Sequence, residues 1–134
     1  MSHIYSHRID VRFRDCDALG HVNNAVYLTY LEQARLDCWR ALWGGGGEAG
    51  STAPGVIMAR AEIDYQAQAR YGQSLEIRIS LAAIGKTSFT YDYEIVDEQN
   101  RTIASARTVQ VMFDYDAGRP VPIPDDIRQK MQKS

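Results

Sequence analysis

Two cysteines, four prolines and no long apolar run mark this 134-residue chain. Each scarcity excludes something. No stretch reaches the ~18 apolar residues of a membrane-crossing helix, so no membrane partner is expected. The start, Met1-Ser2-His3-Ile4-Tyr5-Ser6-His7-Arg8, has no apolar core of a secretion signal. Cys16 and Cys38 are therefore expected as free thiols in a cytoplasmic protein. No cysteine/histidine cluster supplies the three or four ligands zinc takes, so neither a metal nor a bound cofactor is expected. Lysine and arginine form no run and the net charge is -2, which argues against a nucleic-acid partner.

What remains is an ordinary globular composition, 45% hydrophobic and 24% charged. The length suits one domain over residues 1–134. Residues 8–14 alternate, with Ile9, Val11 and Phe13 opposite Arg8, Asp10, Arg12 and Arg14, the pattern of a half-buried strand. A loop at 15–22 follows. A helix is expected at roughly 23–43, capped by Asn23 or Asn24. Tyr27, Tyr30, Leu31, Ala34, Cys38, Ala41 and Leu42 share its apolar face. Residues 44–55 begin with four glycines, which cannot hold a helix, and read as a loop inside the domain.

Four strands are expected next, at 56–66, 74–83, 87–98 and 102–114. The links at Gly85-Lys86 and Glu98-Gln99-Asn100-Arg101 are short enough for hairpins between antiparallel neighbours. A short helix at about 125–132 follows three prolines. One strand, a long helix and four antiparallel strands make an α+β domain with the helix laid on a five-stranded sheet.

The segment Asp15-Cys16-Asp17-Ala18-Leu19-Gly20-His21-Val22-Asn23-Asn24-Ala25-Val26-Tyr27-Leu28 resembles the signature of hot-dog-fold thioesterases, of the 4-hydroxybenzoyl-CoA thioesterase type. The likeness continues through Tyr30-Leu31-Glu32-Gln33-Ala34-Arg35 and is echoed in Ile63-Asp64-Tyr65 and Gly85-Lys86-Thr87-Ser88-Phe89. It implies a hot-dog fold, an acyl-CoA substrate, and a homodimer or homotetramer. In that assembly sheets pair edge to edge and sites lie at the interface. It also implies Asp17 as catalytic carboxylate and the backbone N–H of Asn24 as donor to the thioester oxygen. Glu32, on the helix, is the second candidate for the base, because a related branch places its carboxylate there.

The chemistry points the same way. Thioester hydrolysis needs a nucleophile or an activated water, and donors for the developing oxyanion. A carboxylate just before a helix start sits beside unbonded N–H groups at the positive end of the dipole. Asp17 can attack the carbonyl or deprotonate water. Against this stands a plain reading, an aspartate bonding its own turn. Asp15 is expected to pair with Arg12 or Arg14. Cys16 lies between two aspartates, which disfavours a thiolate nucleophile. His21 has no partner nucleophile and is read as a positioning or substrate-binding residue. Asn23 caps the helix or meets substrate, and Tyr27 packs in the core or touches the acyl group. Arg60, Lys86, Thr87 and Ser88 are candidates for the phosphates of coenzyme A. Two rival functions are an acyl-CoA-binding module without catalysis and a thioesterase for acyl groups on carrier protein. A hot-dog hydratase or dehydratase is a third, disfavoured because no Asp/His pair follows the loop.

Overall fold

The computed structural model describes residues 3–44 and 55–134; the loop read at 44–55 falls almost entirely outside them. Among the described residues, six strands and two helices form the domain: β1 (His3–Asp10), α1 (Asn24–Cys38), β2 (Gly55–Tyr65), β3 (Ser74–Ile84), β4 (Ser88–Val96), β5 (Thr102–Asp114), β6 (Arg119–Pro120) and α2 (Asp125–Lys133). All pairings are antiparallel, in the order β1-β3-β4-β5-β2, with β6 on the end of β5. α1 lies across one face of this sheet. Tyr27, Tyr30, Leu31, Ala34 and Cys38 point into it and meet Ile77, Ile79, Tyr91, Tyr93 and Ile95, all buried. Burying a large apolar side chain is worth roughly 1.5–3 kcal/mol, so this interface carries the fold.

Strands β3 and β4 alternate in and out over most of their length, and β5 does so from Ala104 to Met112 with Thr108 and Gln110 on its buried side; the expected hairpins join them. The first strand is displaced from its expected span. It covers His3–Asp10, and the chain then curls at Phe13–Asp15. The cause is Asp15, whose carboxylate takes the Arg12 N–H (3.0 Å) and the Arg12 guanidinium (2.9 Å). Val11 stays buried. Phe13, expected inside, is 78% exposed and packs edge-on against Tyr71.

Asn23 is the cap of α1, its Oδ1 accepting the Ala25 N–H at 3.0 Å. The expected apolar face fails at its C-terminal end. Trp39–Trp43 widen into π geometry, which delays the inward positions. Trp39 and Trp43 are buried there, while Ala41 is exposed and Leu42 half-buried. Trp43 Nε1 donates to the Tyr91 hydroxyl at 2.7 Å. At the other flank the Tyr5 hydroxyl donates to Asp37 (2.7 Å), and His7 Nδ1 lies 2.9 Å from the same oxygen, tying β1 to α1.

Strand β2 is an edge, paired on one side only, by β5. Its alternation was expected to bury one face. Both faces are largely open instead, with Met58 and Tyr65 each 42% exposed, because the strand has a neighbour on one side only. Residues 66–73 then carry the chain past the start of α1 to β3. At the opposite end α2 buries Ile127 and Met131. Its Arg128 donates to the carbonyls of Gly85 (2.7 Å) and Lys86 (3.0 Å). No helix among the described residues is long and apolar enough to cross a membrane.

Candidate active site

The loop between β1 and α1 folds on itself. The Asn23 N–H donates to the Asp15 carbonyl (3.0 Å), and the Asp17 N–H to the His21 carbonyl (2.9 Å). Cys16 pairs with Val22 as a short bridge. Gly20 turns the tip at φ +82°, a conformation that suits glycine because it has no Cβ. Contacts with one neighbouring segment hold this miniature hairpin: the Val22 N–H donates to the Ala69 carbonyl (2.9 Å), and His21 bridges to Arg70.

Asp15 is the inner anchor. It is 3% exposed and accepts from Arg12 and from the Tyr30 hydroxyl (2.6 Å). Burial pushes its carboxyl up, but the bonds from Arg12 and Tyr30 and the Arg12 charge outweigh burial and hold it below the usual carboxylate range. The Tyr30 hydroxyl is pushed well up, first by burial and then by its bond to Asp15. The expected pairing of Asp15 with Arg12 is thus present.

Asp17 points the other way, toward solvent. Its Oδ1 accepts the N–H groups of Leu19 (2.9 Å) and His21 (3.3 Å), so the plain turn-forming role is real and fixes the carboxylate. Its Oδ2 has no partner among the described residues. A cleft of about 500 Å³ opens beside it, lined by Asp17, Leu19, His21, Val22, Asn23, Asn24, Tyr27, Tyr65, Gln66, Ala67 and Gln68. The first N–H of α1, that of Asn24, meets no acceptor among the described residues. Tyr27 is 2% exposed, and its hydroxyl accepts the Ala69 N–H at 3.2 Å. Tyr27 therefore packs in the core and also forms the floor of the cleft.

Five of the residues singled out from sequence, Asp17, His21, Asn23, Asn24 and Tyr27, come together here. Five others do not. Glu32 sits exposed on α1, outside the cleft. Arg60 is paired with Glu62 (3.1 Å) on the exposed edge strand. Lys86, Thr87 and Ser88 form the β3–β4 turn at the far end of the sheet. Along β5, Ala104 lies opposite Tyr65 while Val111 lies opposite Ser88, a separation of about 23 Å at the usual strand rise. Gln66 and Gln68 line the cleft and had no sequence signal; only the crossing of residues 66–73 past the helix start brings them in. Among the described residues no group of three or more His, Cys, Asp or Glu side chains could hold a metal ion.

The sequence and the fold are similar to those of known proteins. A family model described as the thioesterase-like superfamily matches residues 11–131. The 1,4-dihydroxy-2-naphthoyl-CoA hydrolase of Synechococcus elongatus is 29% identical over 124 residues, covering 91% of this chain and 90% of that one. A "predicted thioesterase" from Bacillus stearothermophilus superposes with a TM-score of 0.87 at 32% identity, over 96% of this chain and 94% of that one. A thioesterase from Thermus thermophilus, solved with coenzyme A and Zn, gives 0.81 at 32% identity, over 95% and 96%. The chain belongs to the thioesterase-like superfamily, thioester hydrolases built on the hot-dog fold.

Proposed function

We propose that the chain hydrolyses an acyl-CoA to the free acid and coenzyme A at the Asp17 cleft. One observation carries this reading: Asp17, whose Oδ2 has no partner among the described residues, and Asn24, whose N–H meets no acceptor among them, line the same cleft. The N–H is a donor at the positive end of the helix dipole, suited to the charge that develops on the thioester oxygen. Oδ2 has two routes. It can attack the carbonyl carbon, expelling the coenzyme A thiolate and forming a mixed anhydride that water then cleaves. Alternatively, it can take a proton from a water that attacks the same carbon. Both routes use the same two atoms.

The open edge of β2 supports a dimer. An unpaired, exposed edge is a template for a second strand, and two copies of β2 related by a two-fold axis would pair antiparallel. Such pairing sets the Gly55 end of one β2 beside the Tyr65 end of the other. The Gly55 end is also the end of the Lys86–Ser88 turn. A second copy would thus carry its Lys86, Thr87 and Ser88 toward the first copy's Asp17, which accounts for their separation within one chain. They would there meet the phosphates of coenzyme A.

The test is release of free thiol from a panel of short, long and aromatic acyl-CoAs, with carrier-protein thioesters alongside. Turnover by the wild type, and its loss in Asp17→Asn, is the expected result. Binding of acyl-CoA without thiol release would overturn the proposal in favour of a binding module.

A further inference from the structure

Tyr65 stands at the end of the open edge strand, yet its hydroxyl reaches across the cleft and donates to the carbonyl of Asn24 at 3.0 Å. That carbonyl belongs to the first peptide unit of α1. The N–H of the same unit, on Ala25, donates to the Asn23 side chain at 3.0 Å. The preceding unit, which carries the Asn24 N–H, has its own carbonyl held by the Val26 N–H at 2.9 Å. Both peptide planes that meet at Asn24 are therefore pinned, and the Asn24 N–H is left without an acceptor among the described residues. Of these three bonds two come from the helix and its cap. The third, from Tyr65, is the one that ties this corner to the sheet. The Tyr65 ring is itself steadied, packing edge-on against Tyr27 with centroids 5.5 Å apart.

We infer that Tyr65 is a positioning residue for the thioester carbonyl: through the Asn24 carbonyl it fixes the direction of the Asn24 N–H. The inference rests on the reading of the Asp17 cleft proposed above. An oxyanion donor works only when preorganised toward the place where charge develops. A helix's first residue has no earlier turn to hold it; the Val26 bond fixes the plane that carries the Asn24 N–H, and Tyr65 adds an outside hold on the next plane, so that the torsions at Asn24 between the two are set from both sides. Tyr65 touches no reacting atom in this picture; it acts through the backbone.

The test is Tyr65→Phe, which keeps the ring and removes the donor. Two unreactive coenzyme A derivatives are bound to it and to wild type. One is a ketone, with CH2 in place of the thioester sulfur; the other is a thioether, with CH2 in place of the carbonyl. The expected result is a roughly 10-fold loss of affinity for the ketone with the thioether unchanged, and a fall of at least that size in kcat/KM for the thioester, the size of one lost hydrogen bond. Both derivatives are measured on the same sample, so partial unfolding cancels from their ratio. Equal weakening of the two, or no weakening of either, overturns the inference, as does an unchanged kcat/KM. Asp17→Asn is assayed in parallel. If it retains wild-type turnover, the underlying reading of the cleft fails; if it is inactive while Tyr65→Phe is unchanged, only the role of Tyr65 fails.

Discussion

The Tyr30 hydroxyl donates to the Asp15 carboxylate at 2.6 Å, joining the middle of α1 to the loop that carries Asp17. Both side chains are buried, at 3% exposure each. Tyr30→Phe keeps the ring in the core and strips one bond from a charged acceptor. The expected cost is about 1.5–3 kcal/mol, read as a lower denaturation midpoint at unchanged slope.

The same carboxylate makes stability depend on acid. Its pKa is held below the ordinary value, while in the unfolded chain it returns to about 3.9. Folding therefore favours the charged form. That contribution is complete above the unfolded value and disappears as pH falls through the depressed folded one. Urea midpoints measured from about pH 6 downward should fall in this acid window for the wild type. Asp15→Asn should start lower and show a flatter acid limb.

Glu32 lies outside the cleft that Asp17 borders. Glu32→Gln is expected to keep turnover within about twofold, as exposed substitutions do, and Asp17→Asn to lose roughly 100-fold or more. Steady-state assay of both variants against the same acyl-CoA separates the two carboxylates.

A site shared between subunits predicts complementation. Asp17→Asn is mixed, by denaturation and refolding, with a chain altered to alanine at Lys86, Thr87 and Ser88. Random pairing gives half heterodimers, each with one intact site, so activity should return to about a quarter of wild type. Sites confined to one chain would give no recovery above the sum of the two parents.

The sequence was most legible where one periodicity ran unbroken. β3 and β4 alternate over most of their length, and with β5 they emerge near their expected bounds, as does the front of α1 with Asn23 as its cap. It was least legible where a side chain overrides a pattern. The alternation from Arg8 runs on to Phe13, and nothing local says that Asp15 folds back on Arg12 and ends the strand at Asp10. The π turn at Trp39 likewise moves the buried face away from Ala41. The half of the candidate site on one loop, Asp17 to Asn24, could be read as a motif. Tyr65, at the end of β2, is already part of the Ile63-Asp64-Tyr65 echo, whereas Gln66 and Gln68 join the cleft through a crossing whose course depends on the whole sheet. Lys86 to Ser88 lie too far along that sheet to meet Asp17 in a single chain.

The loop from Asp15 to Asn23 closes on its own backbone: carbonyls and N–H groups set its shape, and even the Asp17 carboxylate is held by main-chain donors. Main-chain bonds survive most side-chain changes. The pair proposed to react, Asp17 and the Asn24 N–H, can therefore stay put while the walls around it drift, so the choice of acyl group is free to diverge among descendants that keep one chemistry.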